Sequence, residues 1–154
     1  LGDTTRAWLG YGRFVAESRS LGLMLDENRY WQQLDWKGGG AGRPLSLRLT
    51  VEQRDVNFSS DVRHVLRLMA RYQGPISRGP ADRWFVAAES FFDLNTTDWG
   101  GDTGLSQQRL AFGVDGRLSE HLRLEAGVML RYFWRDAFGD RANHLGRLNL
   151  VWRF

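Results

Sequence analysis

Along most of the chain, apolar and polar residues alternate one by one. From Leu122 the even positions run Leu122, Leu124, Ala126, Val128, Leu130, Tyr132, Trp134, while the odd ones run Arg123, Glu125, Gly127, Met129, Arg131, Phe133, Arg135. A helix of period 3.6 cannot sort residues in this way, whereas a strand puts successive side chains on opposite faces. The same alternation predicts eight strands: Thr5 to Val15, Asn28 to Lys37, Leu45 to Val56, Val62 to Gln73, Arg83 to Asn95, Gln107 to Leu118, Leu122 to Arg135, and Leu145 to Phe154. Between them lie segments that cannot extend a strand: Gly38 to Gly42, Gly74 to Pro80, and the polar stretches Asn57 to Asp61, Asn95 to Gly104 and Arg135 to Asn143. Strands at regular spacing joined by such turns predict an antiparallel meander of sequence neighbours, in one domain spanning residues 1–154.

Composition narrows the setting of that meander. Hydrophobic residues make up 42% of the chain, yet the mean hydropathy is −0.44. No run approaches the roughly 18 to 20 apolar residues of a membrane-crossing helix, whereas a crossing strand needs only about 9 to 11 residues with one apolar face. Cysteine is absent, which removes disulfides and thiolate metal sites. The net charge is +3, from 20 arginines and one lysine (Lys37) against 18 acidic residues. These arginines are spread through the strands instead of forming a patch, so a nucleic-acid partner is not expected.

Alternation alone fits either a soluble barrel with an apolar lumen, as in lipocalins, or an inverted barrel whose apolar face meets lipid. The charged residues favour inversion. Arg48, Glu52, Arg54, Arg67, Glu89, Asp93, Arg109, Glu125, Arg131 and Arg147 lie on polar faces, and arginine without lysine suits a crowded interior, where guanidinium and carboxylate share bidentate hydrogen bonds. Trp36, Tyr72, Trp84, Tyr132, Trp134, Trp152 and Phe154 sit on apolar faces at strand ends, as the aromatic girdles of an outer-membrane barrel would. The expected fold is therefore an all-β, up-and-down transmembrane barrel in the bacterial outer membrane, with Leu124, Val128, Leu148, Leu150 and Trp152 outward and Arg109, Glu125, Arg131 and Arg147 inward. If eight strands close it, Ala7 to Phe14 must pair with Leu145 to Phe154; otherwise these are the C-terminal strands of a larger barrel.

The segments Glu89-Ser90-Phe91-Phe92-Asp93-Leu94-Asn95, Gln108-Arg109-Leu110-Ala111-Phe112-Gly113 and Leu124-Glu125-Ala126-Gly127-Val128-Met129 resemble the bacterial outer-membrane family called domain of unknown function 2490. Asn28-Arg29-Tyr30-Trp31-Gln32-Gln33-Leu34 and Val51-Glu52-Gln53-Arg54 resemble the same family's strands. The resemblance implies inward Glu and Arg and carries over no catalytic residue. It also implies that several strands precede the one resembling Trp8-Leu9-Gly10-Tyr11-Gly12, giving a full barrel of about ten to twelve strands.

Candidate chemistry is sparse. His144 could act as a general base on lipid if Asp98, Ser106, Asp136 or Asp140 met it at the rim, although a solvated histidine explains it more simply; His64 and His121 make no better case. Asp93, Asp98 and Asp102 could offer oxygens to calcium but lack a regular loop spacing. Glu52, Glu89, Asp93 and Glu125 offer one reading as paired catalytic carboxylates. Their simpler role is to neutralise Arg48, Arg67, Arg109 and Arg131, since an unpaired buried charge costs several kcal/mol. The function expected is an envelope structural or assembly component without enzymatic activity or cofactor. Its expected partners are outer-membrane lipids, other envelope proteins, and the barrel-assembly machinery, engaged through the strand ending at Phe154. The alternatives are a lipid-modifying enzyme using a rim histidine and, with about twelve strands, a narrow channel.

Overall fold

The computed structural model describes residues 4–18, 23–40, 42, 44–77, 81–134 and 139–152. Eight strands follow one another: β1 (Thr5–Ser18), β2 (Leu23–Gly38), β3 (Leu45–Val56), β4 (Arg63–Pro75), β5 (Arg83–Asp93), β6 (Gly104–Arg117), β7 (Leu122–Phe133) and β8 (Arg141–Trp152). Each pairs antiparallel with its neighbour in sequence, in the order β1-β2-β3-β4-β5-β6-β7-β8. No helix occurs among the described residues. The predicted meander is therefore the fold. Three strands begin earlier than alternation indicated, β2 at Leu23, β6 at Gly104 and β8 at Arg141, while β5 and β7 end two residues sooner, at Asp93 and Phe133. The run Leu23-Met24-Leu25 ahead of Asp26 and the polar start of β8 do not alternate cleanly. Phe154, the expected end of the last strand, lies outside the described residues.

The sheet curls into a half-barrel with the charged face inside. Arg71 on β4 reaches Glu125 on β7 at 2.7 Å, which only a concave sheet allows, because three strand spacings separate these elements. The apolar face looks outward: Leu148 is 70% exposed, Leu150 58%, Val128 63% and Trp152 59%. On the inner face Phe85, Val65, Thr50 and Glu52 are buried. The leucines do not fill the interior as they would in a lipocalin-like barrel.

Closure at eight strands does not occur. β1 and β8 are not paired among the described residues, so the expected ladder between Ala7–Phe14 and Leu145–Phe154 is corrected to two open edges. The physical reason is gentle curvature. The ladder holds continuous register except at a single bulge between Phe91 and Phe92 on β5, and bulges are where a sheet bends most sharply. The inward apolar residues left uncovered belong to the edge strands: Trp8, Phe14, Leu145 and Val151.

Chain direction gathers the turns into two sets. The β2–β3, β4–β5 and β6–β7 connections lie at the near end of the sheet, where β1 begins and β8 ends, and the β3–β4 and β5–β6 loops lie at the far end. The far-end loops are bonded to each other: Ser59 Oγ donates to Asp98 Oδ1 at 2.6 Å, and Trp99 Nε1 donates to the Asp61 carbonyl at 3.0 Å.

Gly113 and Gly127 face each other across β6 and β7. A Cβ on Gly113 would lie 2.4 Å from the Ala126 carbonyl oxygen and 2.8 Å from the Phe85 ring, and one on Gly127 would lie 2.4 Å from the Phe112 carbonyl oxygen. The buried Phe85 ring thus takes the space a side chain would fill. We expect Gly113→Ala to lower the urea midpoint of the refolded protein by an amount equivalent to about 1–3 kcal/mol. Gly146→Ala, where a Cβ would meet nothing within 4 Å, should leave the midpoint unchanged.

Candidate functional site: an arginine–carboxylate interior

Because successive residues alternate faces, each strand delivers its odd or even set to the concave side as a unit. The set on β2 includes Glu27, Arg29, Gln33 and Asp35; on β3, Arg48, Thr50, Glu52 and Arg54; on β4, Arg63, Arg67 and Arg71; on β5, Phe85, Glu89, Phe91 and Asp93. β6 to β8 add Arg109, Asp115, Arg123, Glu125, Arg131 and Arg147. Carboxylate oxygens and guanidinium forks from neighbouring strands therefore meet at hydrogen-bond distance.

The middle of the interior is a continuous chain of charges. Arg29 Nε and Nη2 each donate to Glu27 at 2.8 Å. Arg54 hydrogen-bonds Glu52 and lies 3.9 Å from Glu27. Glu52 also accepts from Arg67, whose Nη2 donates to Glu89 at 2.6 Å. Glu89 in turn accepts from Arg109 Nη1 at 3.2 Å. Beside this chain, Arg63 grips Asp93 with two bonds, of 3.0 and 2.5 Å. Aromatic rings fill the gaps, with Arg67 and Arg109 over Phe91 at 4.7 and 4.3 Å and Arg71 over Phe85 at 3.8 Å. A guanidinium stacked on a ring and forked to a carboxylate has most of its donors and its flat face satisfied.

Toward the near end, Glu125 joins Arg71 on β4 to Arg147 on β8, 3.0 Å away. Arg123 Nη2 lies 2.6 Å from Asp115. Two expected pairings differ in detail. Arg48 takes Asp35 at 2.7 Å instead of a glutamate, because Asp35 is its direct partner across the β2–β3 ladder. Arg131 meets no carboxylate among the described residues and lies 5.3 Å from the centre of the Phe133 ring. Glu27, Asp35, Arg63 and Arg71 also belong to the network. Their signal in sequence was a position of the right parity on a strand, which becomes informative only once register is known.

Four of the strand-end aromatics, Trp36, Tyr72, Trp84 and Trp152, stand at the near end on the outer face, and Tyr132 and Trp134 at the far end. Tyr72 and Trp84 lie 5.7 Å apart, Tyr132 and Trp134 4.7 Å. Phe154 lies outside the described residues.

The catalytic alternatives lose their geometry. His144 is exposed on the outer face opposite Leu130. Its proposed partners are engaged elsewhere, with Asp98 bonded to Ser59, Ser106 Oγ to the Phe91 carbonyl at 3.4 Å, and Asp140 to the Tyr132 hydroxyl; Asp136 lies outside the described residues. Asp93 is held by Arg63 and Asp98 by Ser59, and no group of three or more His, Asp or Glu among the described residues could hold a metal ion. Glu52, Glu89, Asp93 and Glu125 all bind arginine.

Residues 1–143 match the family described as protein of unknown function DUF2490. An uncharacterised protein of Methylorubrum extorquens is 32% identical over 133 residues, covering 83% of this chain and 57% of the relative. The chain thus spans little more than half of that relative's length. No solved structure matches it. The chain belongs to the DUF2490 family.

Glu52 is 3% exposed and accepts from two arginines. Glu52→Ala would leave Arg54 with only Glu27 and Arg67 with only Glu89, and we expect a loss of up to about 3–5 kcal/mol in urea unfolding. Removing the exposed outer pair, Arg13 with Asp26, should leave the unfolding midpoint where it was.

Proposed function

We propose that this DUF2490 family member forms part of an integral β-barrel of the bacterial outer membrane, with an arginine–carboxylate lumen, and serves as an envelope structural or assembly component without catalysis. One observation carries this reading: the sheet buries its charges and exposes its leucines. Monomers in water rarely display apolar patches beyond a few hundred Å², and here the outward residues of successive strands are predominantly apolar, with Leu9 83% exposed and Leu148 70%. Lipid acyl chains are the surroundings in which that arrangement is favourable. The aromatic residues at both ends of the strands suit the two membrane interfaces.

The open edges extend the proposal. Unpaired backbone groups in hydrocarbon cost several kcal/mol each, so β1 and β8 require partner strands in a bilayer. The additional length of the Methylorubrum relative supports further strands as their source, giving a barrel of about ten to twelve strands. A second reading, a narrow channel, draws support from the inward residues that the edges leave uncovered, because a larger circumference leaves a less completely filled lumen. The proposed partners are outer-membrane lipids around the outer face and the barrel-assembly machinery at β8, with other envelope proteins at the loops.

The test is insertion. The full-length protein refolded into lipid vesicles should resist extraction and show heat-modifiable gel mobility. Leu148→Arg on the outer face should weaken insertion by about 2–4 kcal/mol if it lies near the bilayer midplane. Asn149→Arg, one residue along and facing inward, should insert normally. Recovery of the wild type as a soluble monomer without detergent would overturn the proposal.

A further inference from the structure

Four like-charged arginine pairs face each other across the inner ladder: Arg29 with Arg54, Arg54 with Arg63, Arg109 with Arg131, and Arg117 with Arg123. Like charges directly opposite are destabilising. Glu27 and Glu52 serve Arg29 and Arg54, Asp93 serves Arg63, and Asp115 serves Arg123, whose opposite number Arg117 is exposed. The Arg109–Arg131 pair differs in that the member without a carboxylate among the described residues, Arg131, is partly buried. The pair's carboxylate, Glu89, lies on the Arg109 side and is shared with Arg67.

Arg131 has a buried Nε without a hydrogen-bond partner. Directly across from it on β8 stands Asn143, whose Oδ1 accepts from Arg141 Nε at 3.0 Å. Arg141 therefore adds a further cation without adding a carboxylate. On the other flank Gln107, with its amide oriented so that the oxygen accepts, takes Arg109 Nη2 at 3.1 Å, which leaves its NH2 group as another donor. Among the described residues, the far-end interior of β6 to β8 is thus rich in donors and positive charge and short of acceptors. A buried donor left unmade is costly, and a cluster of guanidinium forks matches an oxyanion bidentately.

We infer that Arg109, Arg131 and Arg141, with Asn143, form a binding site for a phosphate-type oxyanion on the inner face of β6 to β8. The anion supplies beside Arg131 the acceptor that Glu89 supplies beside Arg109. The site faces away from the lipid side, so a soluble phosphate reaches it more directly than a bilayer headgroup. This inference rests on the inward orientation of the charges in the preceding proposal and does not require a membrane.

The experiment is calorimetric titration of the full-length protein, refolded in a non-ionic detergent and chloride-free buffer, with inorganic phosphate and, separately, glycerol 3-phosphate. Saturable phosphate binding is expected, weakened about tenfold or more in Arg131→Gln and in Arg141→Gln and unchanged in the outer-face variant Arg13→Gln. A thermal-unfolding series adds a readout that loss of structure alone would not mimic: phosphate should raise the midpoint of wild type but not of Arg131→Gln. If Arg131→Gln does not refold, Arg141→Gln carries both measurements. Tighter binding of glycerol 3-phosphate than of phosphate would support the site and assign it a headgroup source; equal binding would support a free oxyanion. Absence of saturable binding of either, or wild-type affinity in the variants that fold, would overturn the inference. Failure to insert into vesicles with phosphate binding intact would instead overturn the membrane proposal alone.

Discussion

A guanidinium and a carboxylate withdrawn from water must meet, because either one alone in a poorly hydrated interior is worth less than nothing to the fold. That requirement shapes the concave face of this sheet. Register brings Glu52 beside Arg67 and Glu89 beside Arg109, and curvature brings Arg71 to Glu125 across three strands. A slip of one residue in any ladder would move a whole set of charges to the outer face and a set of leucines inward. The charge network and the register therefore enforce each other. The phenyl rings of Phe85 and Phe91 complete the packing by offering flat faces to the arginines above them.

Much of this was legible in the alternation. A period of two, sustained over segments such as Leu122 to Arg135, permits only strands, and the near-absence of lysine on the polar face identified which side was enclosed. Alternation is weaker evidence for extent than for existence. The start of β2, Leu23 to Glu27, lay before the predicted strand and that of β8 in and just after the predicted loop Arg135 to Asn143, and the ladder pairs Glu27 with Val56 and His144 with Leu130.

The individual pairings were less accessible, since partner choice follows register and rotamer instead of residue type. Arg48 takes Asp35 because the ladder sets them opposite each other, and no local feature of either residue announces it. Closure is harder still to read. It is a sum of small bends over the whole sheet, and a single bulge at Phe91 is a modest contribution to that sum. That Arg131 meets no carboxylate among the described residues likewise becomes visible only when the neighbouring carboxylates have been assigned.

The direct far-end connection between Ser59 and Asp98 and between Asp61 and Trp99 has a mechanical consequence. These bonds join the β3–β4 loop to the β5–β6 loop, so two successive hairpins are clasped both along their shared ladder and over their tips. The β7–β8 hairpin shows no such loop-to-loop clasp among the described residues; across it Arg147 pairs with Glu125 and the Tyr132 hydroxyl donates to Asp140. Stiffness is therefore greatest from β3 to β6 and less at β8, so a strand added along β8 would meet the margin that yields at the smallest cost.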